Sequence, residues 1–460
     1  MFVQRLLIFC CVTWVSNSSS FSWSDPVTLS APWQTADEHQ LAISQNNNAM
    51  AVWHRFDGEY QWIQASRFDS TTGMWDPIED VATISPANRN SEYPSLAMDS
   101  DGNAFAVWRW YDGTNWLIRA SRYDVFTKSW QKPINVSFIS PRGFDCDVPQ
   151  VAMSDNGTAL AVWTRYSDPW LITVNIYSNG SWSGFVTFIS APAPYEDSAQ
   201  PVIAMDPSGN GFAAWYQFDS SNWRILARRY VQGLGWQAGV SIFSILGFNA
   251  YNPQVAMDDQ GNAVLAWQLA EGTGTWAVQS AYYQAGAGWV SVTNLATGVD
   301  VGSSSHNPFV RIAMSRSGKA IAAWYKLDGG KQYVQARVFD GSSWLPEATL
   351  SEGIEPINAF DNPAPRVAID NNGRGIATWT MYEEEGKSRV QASLYNGSSW
   401  MNPSLVPIIS EPHQSAHDPQ VVMDSQGNGL IIWQRSDGTN VSTYAEGNKR
   451  IQAIYYDVTT

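Results

Sequence analysis

The chain has 460 residues, of which only 15% are charged, and a formal net charge of -15. That balance excludes nucleic acid and anionic membrane surfaces as partners, because both are recognised through basic patches. After the N-terminus no stretch is apolar for long enough to span a bilayer, so no membrane insertion is expected.

Residues 1–20 read as a secretion signal. Arg5 precedes an apolar run from Leu6 to Val15, and the serines that follow offer small residues for cleavage. The mature chain is therefore expected to be secreted: extracellular, periplasmic or at the cell surface. Its one remaining cysteine, Cys146, cannot form an intramolecular disulfide, so stability has to come from packing.

From residue 21 to residue 460 one repeated pattern runs on, which predicts a single domain. Tryptophan marks it at Trp53, Trp108, Trp163, Trp215, Trp267, Trp324, Trp379 and Trp433, with neighbours 52 to 57 residues apart. A fixed period of this size is the mark of a repeat architecture. Each unit opens like Pro419-Gln-Val-Val-Met-Asp-Ser-Gln-Gly-Asn-Gly-Leu-Ile-Ile-Trp433.

Four short segments recur in every unit. The first resembles Pro149-Gln-Val-Ala-Met153 and the second Ala159-Leu-Ala-Val-Trp163. The third resembles Ile118-Arg-Ala-Ser-Arg-Tyr123, and the fourth Trp344-Leu-Pro-Glu-Ala-Thr-Leu-Ser351. All are too short for helices and are bounded by Gly, Asn, Asp or Pro, which predicts strands. The second is almost wholly apolar, so its sheet is buried on both faces. Four-stranded antiparallel sheets that bury both faces against like neighbours make an eight-bladed β-propeller.

The repeat is also split between the termini. Unit eight stops after its third strand, at Tyr456-Asp-Val-Thr-Thr460, while Trp23-Ser-Asp-Pro-Val-Thr-Leu-Ser30 has the fourth-strand pattern. The N-terminal strand is expected to pair with the last blade and close the ring, which removes open edges.

The turn between first and second strands reads Asp99-Ser-Asp-Gly102, Asp258-Asp-Gln-Gly261 and Asp424-Ser-Gln-Gly427. Ser replaces the Asp at Ser44, Ser154 and Ser315, and no acid follows where a bidentate calcium ligand would stand. Asp or Ser first with Gly fourth is the chemistry of a tight turn capped by its own side chain. Neither a metal nor a cofactor is called for.

Function is sought on the loops that join one unit to the next, because they alone vary. They carry Phe144, Asp145, Tyr195, Glu196, Asp197, Tyr251, His306, Phe360, Asp361, His413, His417 and Asp418. These aromatics, carboxylates and imidazoles suit a glycan or protein ligand on one propeller face. His39 is placed in the same loop set. No Gly-x-Ser-x-Gly, Walker or His-Glu-x-x-His motif is present, so no catalytic residue is assigned. Arginines to hold a substrate carboxylate are few in these loops, with Arg89 and Arg142 the main ones.

The consensus Pro-x-Val-Ala-Met-Asp-x-x-Gly-Asn-Ala-x-Ala-Val-Trp resembles the repeats of secreted bacterial β-propeller proteins. The Asp-x-x-Gly turns are distantly similar to the Asp-boxes of sialidase-type propellers, and Asp112-Gly-Thr-Asn-Trp116 to hairpins of fucose-lectin propellers. The resemblance implies the fold and leaves the ligand open. The first reading is a secreted, non-catalytic binding or adhesion scaffold. The alternatives are a carbohydrate-binding lectin and a glycan-acting hydrolase or lyase. Nothing in the sequence sets an oligomeric state.

Overall fold

The computed structural model describes residues 21–135, 137–184, 186–191, 196–243, 247–272, 274–300, 309–353, 364–382, 387–412, 414–436 and 448–458. The expected signal, 1–20, lies outside them. The architecture is all-β: antiparallel sheets, with short 3-10 turns at Ile78–Asp80, Pro133–Asn135 and Pro403–Leu405 as the helical pieces among the described residues.

The third unit shows the plan. Cys146–Met153, Ala159–Arg165, Leu171–Ser178 and Ser181–Trp182 pair antiparallel in that order, and Thr187–Phe188 adds to the outer side of Leu171–Ser178. The fourth strand is thus broken into two short pieces. In the fourth unit it is continuous, Gly235–Ile242. In the fifth it runs through Gly288–Asp300 and touches the sixth unit, with Asp300 opposite Leu327. Two units therefore share one eight-stranded sheet, which the repeat alone does not announce. At the N-terminus, Phe21–Trp23 and Val27–Thr28 both pair with Lys449–Val458, and the Trp23 and Tyr456 ring centroids lie 4.8 Å apart.

All eight second-strand tryptophans are fully buried. Each sits where two sheets meet. Trp108 packs with Met50, Val52 and Ile63 of the preceding unit, and Trp53 packs with Ile432 and Ile451 of the last. Fourth-strand tryptophans cover the aromatic that ends the third strand, as Trp130 does Tyr123 at 5.6 Å. The turns are capped as their chemistry predicts. Asp258 Oδ1 accepts from Asn262 N at 2.8 Å, and its Oδ2 from Asn262 Nδ2 at 2.7 Å. Ser154 Oγ instead donates to Asn156 Oδ1 and to the Thr158 carbonyl.

Five of the first strands start earlier than the proline that marks them. The described ones are Thr35–Ile43, Ser91–Met98, Cys146–Met153, Ser198–Met205, Ala250–Met257, Arg311–Met314, Arg366–Ile369 and Ala416–Met423. They contact one another in that order, and the last contacts the first. Proline donates no ladder hydrogen bond, and a strand carrying one must bulge. The register shifts between Glu92 and Ser95, Asp147 and Gln150, and His417 and Gln420, around Pro94, Pro149 and Pro419. The residue before each proline is driven to positive φ: Tyr93 at 52°, Val148 at 49°, Asp418 at 54°. Glu38, at 51°, takes this conformation without a proline, because His39 stands in that place. Bulges re-aim side chains, and here they hold six non-glycine residues at positive φ at one end of the first strands, at a strain of about 1–3 kcal/mol each.

Candidate functional site

The bulges of the first three units bring together side chains that no local motif links. Glu38 Oε2 lies 2.9 Å from His54 Nδ1 and accepts the Tyr93 backbone N–H at 2.8 Å. The Tyr93 ring lies under the Arg109 guanidinium, 4.2 Å from its centroid, and Trp116 flanks the same guanidinium at 4.4 Å. Arg109 donates to Glu92 Oε2 and, at 3.0 Å, to Asp147 Oδ1. The Tyr166 hydroxyl donates to Asp147 Oδ2 at 3.3 Å, and its ring meets Trp170 at 4.9 Å. Tyr93, Tyr166 and Trp170 are 45%, 36% and 38% exposed, so this chain of contacts opens to solvent on aromatic faces.

The electrostatics follow from the contacts. Burial works against the Arg109 charge, but the hydrogen bond to Glu92 and the charges of Asp147 and Glu92 outweigh it and raise its pKa. Burial, with the Asp147 charge beside it, pushes the Tyr166 hydroxyl up to about 12. Burial and Glu38 likewise raise Tyr93. Both phenols therefore stay protonated at neutral pH.

A second polar group lies further round the first strands. His417 Nδ1 is 3.1 Å from Asp418 Oδ2, and the Asp418 N–H donates to Thr380 Oγ1 at 3.2 Å. Burial raises the Asp418 carboxyl, but the His417 hydrogen bond and the charges of His417, His39 and Arg366 prevail and lower it. His39 is 3% exposed, and neither of its ring nitrogens completes a hydrogen bond.

The residues expected from the sequence are distributed unevenly. Asp145 Oδ1 caps the Trp116 N–H at 2.8 Å, and Phe144 lies under Arg165 at 3.6 Å, both beside the first group. Asp197 plays the same capping part for the Trp170 N–H at 2.9 Å, and Glu196 accepts from Ser220 Oγ. Tyr251 packs on Tyr216 at 5.7 Å. His417 and Asp418 lie in a strand, not a loop, and so does His39. Tyr195, His306, Phe360, Asp361 and His413 lie outside the described residues.

Glu38, His54, Glu92, Tyr93, Arg109, Asp147 and Tyr166 were missed because each reads as an ordinary strand residue. One signal pointed to them: the polar or aromatic residues before each first-strand proline differ from unit to unit. The expected shortage of arginine also came from searching loops alone, since Arg109, Arg311 and Arg366 project from strands. A groove of about 710 Å³ at the outer edge of the second and third units is lined by Trp130, Tyr177 and Trp182, which recur as packing residues.

No protein-family model matches the sequence, and no curated protein matches it. Among solved structures, the NanB sialidase from Streptococcus pneumoniae is 10% identical, over 96% of this chain and 94% of that one, with a TM-score of 0.39. The polysaccharide lyase Uly1 is 12% identical, over 83% and 93%, with a TM-score of 0.46. The Penicillium chrysogenum alpha-L-arabinanase is 11% identical, over 70% and 97%, with a TM-score of 0.40. These three are a sialidase, a polysaccharide lyase and an arabinanase, and against them the expected non-catalytic binding or adhesion scaffold is withdrawn. That expectation rested on finding no catalytic set in the sequence.

Proposed function

We propose that this chain is a secreted glycan-acting enzyme, a hydrolase or lyase, whose residues 21–460 form one eight-bladed propeller after removal of signal 1–20. The ring closes through residues 21–28 on the last blade. Support for closure comes from the pairing of Trp23 with Tyr456 and from the first strands contacting each other in cyclic order. The described inter-unit loop residues Phe144, Asp145, Glu196 and Asp197 form part of the rim over the site.

One observation carries the reading: the contacts from His54 through Glu38, Tyr93, Arg109 and Asp147 to Tyr166 and Trp170 are continuous. Cleaving a glycosidic bond needs groups that give and take protons beside a surface that holds the sugar ring. Glu38 and His54 are the proton-transfer pair, with the carboxylate orienting the imidazole. Tyr93, Tyr166 and Trp170 supply stacking faces, and the Tyr93 phenol donates to a sugar oxygen.

The test is a panel of neutral and acidic polysaccharides. New reducing ends without unsaturated sugar mark a hydrolase, and new ultraviolet absorbance of an unsaturated uronate marks a lyase. Binding with no turnover on any member would replace this reading by a lectin. Silence in both would remove it.

A further inference from the structure

Arg311 and Arg366 occupy one position in consecutive units. Arg311 lies opposite Ala323 and Arg366 opposite Thr378, in each case the residue before the buried tryptophan. Elsewhere that position holds Gln40, Ser95, Gln150, Val202, Gln254 and Gln420. The fold thus accepts a neutral residue there, and two adjacent arginines are not demanded by packing.

Their surroundings do not neutralise them. Arg311 Nη1 donates to the Val310 carbonyl at 3.2 Å, and its Nε is buried without a hydrogen-bond partner. With its amide oxygen turned toward Arg366, Gln420 accepts from Nη2 at 3.0 Å and Nε at 3.3 Å, a neutral partner for a cation. Among the described residues, the carboxylate acting on Arg366 is Asp418, which already holds His417. Burial opposes both guanidinium charges, and Arg366 repels Arg311 further. Each of the two residues is partly rather than fully buried.

We propose that Arg311 and Arg366 form an oxyanion-binding site that receives the carboxylate or sulfate ester of an acidic sugar. Planar guanidinium forks match such groups through paired, charge-assisted hydrogen bonds. An oxyanion between them supplies the missing acceptor for Arg311 Nε and cancels the repulsion. The assignment to a sugar rests on the glycan-acting reading, while the anion site itself does not.

The experiment follows thermal unfolding of the mature chain at constant ionic strength against sodium glucuronate, glucose 6-sulfate, inorganic sulfate and chloride. A ligand that binds only the folded state raises the melting temperature saturably. Wild type should respond to glucuronate or glucose 6-sulfate, and R311M and R366M should need about tenfold more ligand or fail to respond. Without ligand, both variants should melt no lower than wild type, which separates lost binding from lost folding. R142Q, at an exposed arginine, should respond like wild type.

No saturable response in wild type, or an unchanged midpoint in both variants, overturns the site. A response to inorganic sulfate alone overturns its assignment to a sugar. Turnover of a neutral glycan without any anion response would leave the glycan-acting reading standing and remove only this inference. An anion response without turnover on any glycan would do the reverse.

Discussion

The carboxylate of Glu38 reaches from the first unit to the backbone N–H of Tyr93 in the second, at 2.8 Å, and both residues hold positive φ. Two strained bulges, 55 residues apart in sequence, are thereby tied together at the point where His54 also binds the carboxylate. The strain has a use if this is the reacting carboxylate, because the bulge alone turns Glu38 toward its neighbour. Glu38→Gln keeps the shape and removes proton transfer. It should lower kcat/KM on the cleaved glycan by about 100-fold or more and shift unfolding by less than about 2 kcal/mol. Full activity in this variant would remove Glu38 from the mechanism.

His39 makes stability depend on pH. Burial holds its imidazole below the usual histidine range, against the charges of Asp418 and Asp37. The unfolded chain takes up a proton at about pH 6.5, and folded His39 does so only at lower pH. The unfolded state therefore binds more protons in that window, and stability falls as pH drops below about 6.5 until it reaches the folded value. His39→Val, copying Val310 of the sixth unit, should flatten this part of a plot of urea midpoint against pH. An unchanged slope would assign it to other groups.

The Asp-x-x-Gly turns should behave as turns. Gly261 has φ +79°, and an added Cβ would stand 3.2 Å from Asp206 Oδ2. Gly261→Val should destabilise by about 1–3 kcal/mol, whereas Asn47→Gly, at φ 65°, should be neutral or slightly stabilising. Chelator should leave the melting temperature unchanged, since the Asp258 oxygens are already occupied by Gln260 and Asn262. A large drop on adding chelator would contradict this.

The N-terminal strand should be indispensable. Leu29 is fully buried with Ile432 and Ile451, and Ser30 Oγ accepts the Ile451 N–H at 2.9 Å. Deleting residues 21–30 should expose Lys449–Val458 as an edge and cause aggregation or loss of cooperative unfolding. The milder Leu29→Ala should cost about 2–4 kcal/mol by chemical denaturation. A monomeric deletion variant with unchanged melting temperature would overturn the proposed closure through the N-terminal strand.

The sequence by itself determined the period, the strands, the buried tryptophans and the capped turns. Each depends on residues within about a dozen positions of one another, so alternation, turn chemistry and repetition make them legible. Five of the bulges were written there, as the proline at the head of the first segment, although the strand was expected to begin at that residue; the Glu38 bulge has no proline. Only the tertiary structure decided which polar residues meet. Glu38 and Tyr93 stand at one repeat position and Asp147 at the position before it, in three units, and nothing local distinguishes them from surface polar residues. The cyclic contact of the first strands sets them side by side, and the positive φ at each bulge aims them at the same end. The same holds for Arg311 and Arg366: their adjacency, and the burial that leaves their charge unmatched, exist only once sheets from separate units pack against each other.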